Sequence, residues 1–168
     1  EDFERKFMGT LWNTYAFYVL YADIDNFNPT EYKLEYDKLS ELDKWVLSRL
    51  NTVVKKVDEN LNNYKIVEAG RAAQEFIDEV SNWYVRRSRE RFWVHGDSAD
   101  KTAAFTTLNY CLVGLSKLCA PFVPSITEQI YQNIVRSVDK DAPVSVHLCD
   151  YPVADESLID ESLNEGMQ

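Results

Sequence analysis

The sequence is poor in the residues that interrupt helices and in those that bind metals or cross-link chains. Five glycines and five prolines among 168 residues leave little material for long loops, and the glycines are too scattered for a phosphate-cradling loop. The three cysteines, Cys111, Cys119 and Cys149, are odd in number and widely spaced, which argues against a disulfide framework and for free thiols in a reducing compartment. The two histidines, His95 and His147, stand on different segments. His147 and Cys149 share a side of an expected extended stretch, but two ligands do not complete a tetrahedral zinc site. No apolar run approaches the roughly 20 residues that cross a bilayer, so no membrane partner is expected. The opening Glu1-Asp2-Phe3-Glu4 has no initiator methionine and no signal-peptide pattern, and suggests a piece of a longer cytoplasmic chain. Positive charge is also in deficit. With 18 Lys and Arg against 28 Asp and Glu, the formal net charge is −10, which excludes a nucleic-acid grip spread over the whole surface. A compact basic patch survives that exclusion, because fields of exposed charges fade over about 8 Å at physiological salt.

What the chain does have is apolar periodicity. Hydrophobic residues make up 45% and aromatics 13%, enough for one core. A period near 3.6 predicts a first helix from about Phe3 to Ala22, with Phe7, Leu11, Thr14, Tyr18 and Tyr21 on one face. Asn28-Pro29 marks a turn within the break that follows. Ser40 with Asp43 three residues on predicts a capping box, with Asp where Glu or Gln is usual. Behind it Leu42, Trp45, Leu50, Val53, Val57 and Leu61 repeat at threes and fours. A third helix is expected from Ile66 through Ala69, Ala73, Phe76, Val80 and Trp83 toward Phe92, with Trp83 in the core. Its small residues Ala69, Gly70, Ala72 and Ala73 would admit a close neighbour. After a linker at His95-Gly96-Asp97-Ser98, a fourth helix runs from about Asp100 to Cys119 and stops at Pro121. Pro124 opens a fifth, carrying Ile126, Ile130, Ile134 and Val138. Val144, Val146 and Leu148 then alternate with polar residues, as in a short extended segment. The acidic tail from Ala154 to Gln168 is expected to start a further helix, with Glu156, Asp160 and Glu161 solvated rather than clustered for chemistry. The fold class is therefore all-α: an antiparallel bundle of about five helices with a short extended C-terminal segment.

The most informative stretch is Asn82-Trp83-Tyr84-Val85-Arg86-Arg87-Ser88-Arg89-Glu90-Arg91-Phe92-Trp93, with four arginines in six positions of an acidic chain. Arg86 and Arg89, and likewise Arg87 and Arg91, share helix faces. A guanidinium suits phosphate oxygens and stacks on bases. Phe92 and Trp93 at the expected helix end would offer rings to unpaired bases. A structural alternative stands beside this: arginines near a helix C-terminus complement its dipole, and Glu75, Asp78, Glu79 and Glu90 are within reach as partners.

Ser40-Glu41-Leu42-Asp43-Lys44-Trp45-Val46-Leu47-Ser48-Arg49-Leu50 resembles the opening of the anticodon-binding bundle in class I aminoacyl-tRNA synthetases for isoleucine and valine. The string from Asn82 to Trp93 resembles the isoleucyl family in particular. Ala120-Pro121-Phe122-Val123-Pro124 followed by Glu128 resembles the bundle's later turn. Ser145-Val146-His147-Leu148-Cys149-Asp150-Tyr151-Pro152 resembles the isoleucyl segment after it, where Trp-Pro is commoner. Leu11-Trp12-Asn13-Thr14-Tyr15 resembles the helix that joins the catalytic body to the bundle. These matches follow family order and cover nearly the whole chain.

The resemblance implies a joining helix at residues 1–24, an anticodon-binding bundle at 25–140, and an extended segment with the start of a C-terminal region at 141–168. It implies an isoleucine-accepting tRNA and the remainder of the synthetase as partners. The family's His-Ile-Gly-His and Lys-Met-Ser-Lys-Ser motifs are missing here, so the chain by itself is expected to be no enzyme and to hold no cofactor, with ATP and magnesium handled elsewhere in the parent ligase. In the related methionyl family an Asn and an Arg one turn apart on the joining helix, with a Trp ending a later helix, contact the anticodon. The matching positions are Asn13, Phe17 and Trp93, and Phe17 departs from the Arg pattern. The expected RNA-binding set is thus Arg86, Arg87, Arg89, Arg91, Phe92, Trp93, Asn13 and Phe17. A valyl or leucyl bundle, or a protein-interaction module with Trp83, Trp93 and the arginines as its hot spot, are the alternatives.

Overall fold

Ser40 and Asp43 start the helix around which the others assemble. The Ser40 hydroxyl accepts the Asp43 N–H, and the Asp43 carboxylate accepts the Ser40 N–H, both at 3.2 Å. This is the expected capping box, closed in both directions. Helix α2 then runs Glu41–Asn62 and buries Trp45, Leu50, Val53 and Val57 at the predicted spacing. The structure, a computed structural model, describes residues 2–93 and 99–166; the predicted linker at 95–98 lies outside them.

Before α2 comes α1 (Asp2–Asp25), and after it come α3 (Ile66–Glu79), α4 (Arg86–Trp93), α5 (Ala99–Cys119), α6 (Pro124–Tyr131) and α7 (Glu161–Gly166). Among the described residues there is no strand, so the all-α expectation holds. None of these helices is long and apolar enough to cross a membrane. Small side chains explain the closest pairing: Ala69, Gly70, Ala72 and Ala73 are buried where α3 lies along α2. Arg49 fastens the two helices with a fork onto Glu79 at 2.8 and 2.9 Å. Leu108, Leu112 and Leu115 of α5 meet Leu11 of α1 and Phe76 of α3 in one core, all fully buried. Cys111 and Cys119 belong to that core, and burial pushes both thiols up in pKa, which leaves them inert.

The predicted third and fifth helices both contain a wider turn. Between α3 and α4, residues Val80–Val85 form a π-helical segment, and α6 continues as another over Gln132–Arg136. A π turn inserts an extra residue and rotates everything beyond it. That rotation corrects the expectation for Trp83, which is 38% exposed rather than in the core.

The extended segment at Val144 to Cys149 is corrected as well. Val146–Leu148 is a 3-10 turn, flanked by extended backbone at Ser145 and Cys149. Side-chain hydrogen bonds curl it. Ser145 accepts the His147 N–H at 3.2 Å, while Glu128 accepts the Ser145 hydroxyl and the Val146 N–H. Burial works to raise the Glu128 pKa, but hydrogen bonds from Ser145, Gln132 and Val146 outweigh it and hold the carboxyl below its usual range. Val146 alone of the alternating trio points inward; Val144 and Leu148 are exposed. The acidic tail does form a helix, α7, which docks on α2 through Asp160 and Asn164 around the Ser48 hydroxyl. The Asp160 backbone is therefore fastened to α2, while its carboxylate turns back to cap α7 at Ser162 and Leu163.

Two helices end in the left-handed conformation that favours glycine. After α1, Asn26 (φ 53°) holds a Schellman motif, with Phe27 N–H to Ala22 at 2.8 Å and Asn26 N–H to Asp23 at 3.3 Å. After α2 the residue is Tyr64 (φ 60°), with Lys65 N–H to Asn60 at 2.7 Å and Tyr64 N–H to Leu61 at 3.1 Å. Asparagine tolerates this geometry better than tyrosine. The Tyr64 ring is 90% exposed, so little packing opposes a change. The left-handed cost of about 1–2 kcal/mol, less about 0.5–1 for glycine's extra freedom in the unfolded chain, gives the expected result. Tyr64→Gly should raise stability by about 0.5–1 kcal/mol, read as a higher urea midpoint at unchanged slope.

Candidate nucleic-acid interface

The arginine-rich stretch forms α4, which the preceding π segment sets in rotation. Ser88 and Phe92 face inward, whereas Arg86, Arg87, Arg89 and Trp93 face outward. Among the described residues no ion pair engages Arg86, Arg87 or Arg89. The carboxylates offered as alternative partners are occupied in part: Glu79 by Arg49 and Asp78 by the Gln74 amide. Two of the three guanidiniums meet rings instead. Arg87 lies over Trp83 at 4.5 Å from the ring centroid, and Arg89 lies 5.9 Å from Phe17 and 6.0 Å from Trp93. Such contacts orient the cation while leaving its donors free for an anion.

The C-terminal half of α1 lies beside this face. Phe17 meets Phe92 edge-on, centroids 5.2 Å apart, and Tyr21 at 4.8 Å. Trp93 donates its indole N–H to the Tyr21 hydroxyl and keeps 51% of its surface exposed. Asn13 sits exposed one turn before Phe17. The fold therefore brings the C-terminal half of α1 and the end of α4 together through Phe17 and Tyr21.

Two of the expected residues do not belong to the exposed face. Phe92 is 2% exposed and packs edge-on against Phe17 and Phe105, so it offers no ring to a base. Arg91 has 14% of its side chain exposed. It forks onto the fully buried Asp43 at 2.7 and 2.8 Å and also binds Asp100. Burial works against its charge, but hydrogen bonding to Asp43, the negative charge of Asp43 and hydrogen bonding to Asp100 prevail and raise its pKa. A guanidinium held in this way is a structural cation rather than a free phosphate ligand. Phe17 is half-buried and meets the interface as a ring beneath Arg89.

Sequence reasoning missed Tyr21 as the partner of Trp93, having assigned it to the core face; its position one turn past Phe17 is the signal that was there to use. It also missed Asp43 as the anchor of Arg91. The signal for that was the unusual Asp in the capping box, whose short side chain holds the carboxylate close to the helix.

A family model described as the anticodon-binding domain of tRNA ligase matches residues 43–168. The chain belongs to that family. Its relatives include the isoleucine–tRNA ligases of Clostridium tetani (52% identical over 99% of this chain) and Clostridium acetobutylicum (53% over 98%), and in each case the match covers 16% of the relative's length. The isoleucine–tRNA ligase of Bacteroides fragilis is 43% identical over 100% of this chain and 15% of its own length. The chain thus spans about a sixth of the length of these relatives.

Proposed function

We propose that this chain is the part of an isoleucine–tRNA ligase that holds the anticodon arm of an isoleucine-accepting tRNA. The observation that carries the reading is the exposed group of Arg86, Arg87 and Arg89, free of ion pairs among the described residues, beside the half-exposed Trp93 in a chain of net charge −10. Arg86, Arg87 and Arg89 neutralise backbone phosphates. Trp93 stacks an unpaired base, with Asn13 on the neighbouring helix contributing polar contact and Phe17 supporting Arg89 from below. Residues 1–24 act as the joining helix, 25–140 as the bundle, and 141–168 as the start of the following region. Amino-acid activation, with its ATP and magnesium, belongs to the part of the longer cytoplasmic protein outside this chain.

The test is Trp93→Ala in the full-length protein. Isoleucine-accepting tRNA should bind more weakly by about 1–3 kcal/mol, the usual worth of one stacked base, with the thermal unfolding midpoint nearly unchanged. Binding insensitive to both Trp93→Ala and salt would favour a protein-interaction surface. A large loss of stability would return Trp93 to a packing role.

A further inference from the structure

Arg91 lies two residues from Arg89 and two from Trp93, yet it faces the other way. One hydrogen on Nε goes to Asp100, one on Nη1 goes to Asp43, and two on Nη2 go to Asp43 and the Asp100 carbonyl. That occupies four of the five donors a guanidinium carries. A phosphate would have to break this set. Arg91 consequently ties the end of α4 to the first turn of α2 and the first turn of α5.

The Asp43 carboxylate has a further donor, the Tyr84 hydroxyl, at 2.6 Å. Tyr84 lies within the π segment and Arg91 within α4, seven positions later. One buried carboxylate therefore grips the helical rod at two points, within the wide turn and beyond it. If the π turn relaxed to an ordinary α turn, the residues after it would roll by about 100°, one residue's rotation. Trp93 and Arg89 would then leave the side of α4 that meets Tyr21 and Phe17 of α1, and Arg86 and Arg87 would turn with them. Tyr84 and Arg91 can both reach Asp43 only in the observed setting.

We propose that Arg91, Asp43 and Tyr84 are positioning residues that fix the roll of α4 and so aim Arg86, Arg87, Arg89 and Trp93 at RNA without touching it. The consequence for binding rests on the RNA reading above; the fixing of the roll does not. The test measures the Kd of full-length protein for isoleucine-accepting tRNA across a salt series, with the active fraction fixed by stoichiometric titration. Simple destabilisation lowers that fraction and leaves the Kd of the folded remainder alone. Arg87→Ala, at a phosphate-facing position, should reduce the salt slope by about 0.7–0.9. Arg91→Lys, which keeps the charge but loses the fork, should weaken Kd about tenfold with the wild-type slope. Tyr84→Phe, which removes one hydroxyl, should weaken Kd about threefold, again at the wild-type slope, and it carries the test alone if Arg91→Lys fails to fold. A lower slope in Arg91→Lys would make Arg91 a phosphate ligand and overturn the proposal. Wild-type Kd in folded Arg91→Lys or in Tyr84→Phe would overturn it too. If Arg87→Ala changes neither Kd nor slope, the RNA reading is what has failed.

Discussion

Asp43→Ala is expected to lower the stability of the fold by about 3–5 kcal/mol, the range seen when one partner of a buried ion pair is removed. Asp43 is fully buried and accepts hydrogen bonds from the Ser40 N–H, the Tyr84 hydroxyl and both Nη atoms of Arg91. Alanine ends all of them at once. The Tyr84 hydroxyl then has only the Ala104 carbonyl, at 3.5 Å, a poor substitute in a site where an unmet donor costs about 1–3 kcal/mol. Arg91 fares better, because it keeps Asp100 and a partly exposed side chain. This places the loss near the lower end of the range. The Ser40 N–H loses its acceptor as well, while the Ser40 hydroxyl still caps the backbone N–H of position 43. Asp43→Asn should fall between wild type and alanine, since the amide keeps one acceptor but turns a donor toward other donors. The check is urea denaturation with the double variant Asp43→Ala/Arg91→Met, which should lose clearly less than the sum of its single variants because the two residues share one network. Additive losses would mean that the fork contributes little.

The same residues show which parts of the fold were legible in sequence. The capping box, the apolar stripe of α2 and the leucine repeat of α5 are local patterns, and each was readable from spacing because burial follows the helix period. The π segments were not. The extra residue at Val80–Val85 goes with contacts of Tyr84 and Arg91 to a carboxylate on another helix, and no local propensity encodes that. Trp83 consequently lies at the surface, although a straight 3.6 period would bury it. The four arginines illustrate the limit for the interface. Arg86, Arg87, Arg89 and Arg91 are alike in sequence, and only the tertiary position of Asp43 sets the last apart. Composition pointed to one stretch of chain, and the structure sets the C-terminal half of α1 beside it. The choice between Phe92 and Trp93 needed the packing of Phe17 and Phe105. The curl at Val146 to Leu148 was hidden for a similar reason: alternation predicts a strand only where a partner strand is available, and Glu128 supplies the hydrogen bonds instead.

Adjacent positions should separate stability from binding. Phe92→Ala removes a ring that is 2% exposed and meets Phe17 and Phe105 edge-on at 5.2 and 4.9 Å. Truncation of a buried phenylalanine costs about 3–5 kcal/mol, to which each lost edge-on contact contributes about 0.5–1.5 kcal/mol. Trp93→Ala removes a larger ring but exposes little that was dry, so its cost should stay within about 0.5 kcal/mol of zero; the lost hydrogen bond to Tyr21 is replaced by water. For tRNA affinity the order reverses. Trp93→Ala should lose most of a stacking contact, whereas folded Phe92→Leu, which fills much of the same volume, should bind within a few-fold of wild type. Two measurements on each variant, a urea titration and a tRNA titration, fill a two-by-two comparison. Equal losses in both columns for Trp93→Ala would mean that its indole packs the corner between α1 and α4 and does not meet RNA. Normal stability in Phe92→Ala would mean that the edge-on cluster with Phe17 and Phe105 does not hold the end of α4, and with it would go the reason for placing Arg89 and Trp93 on one face.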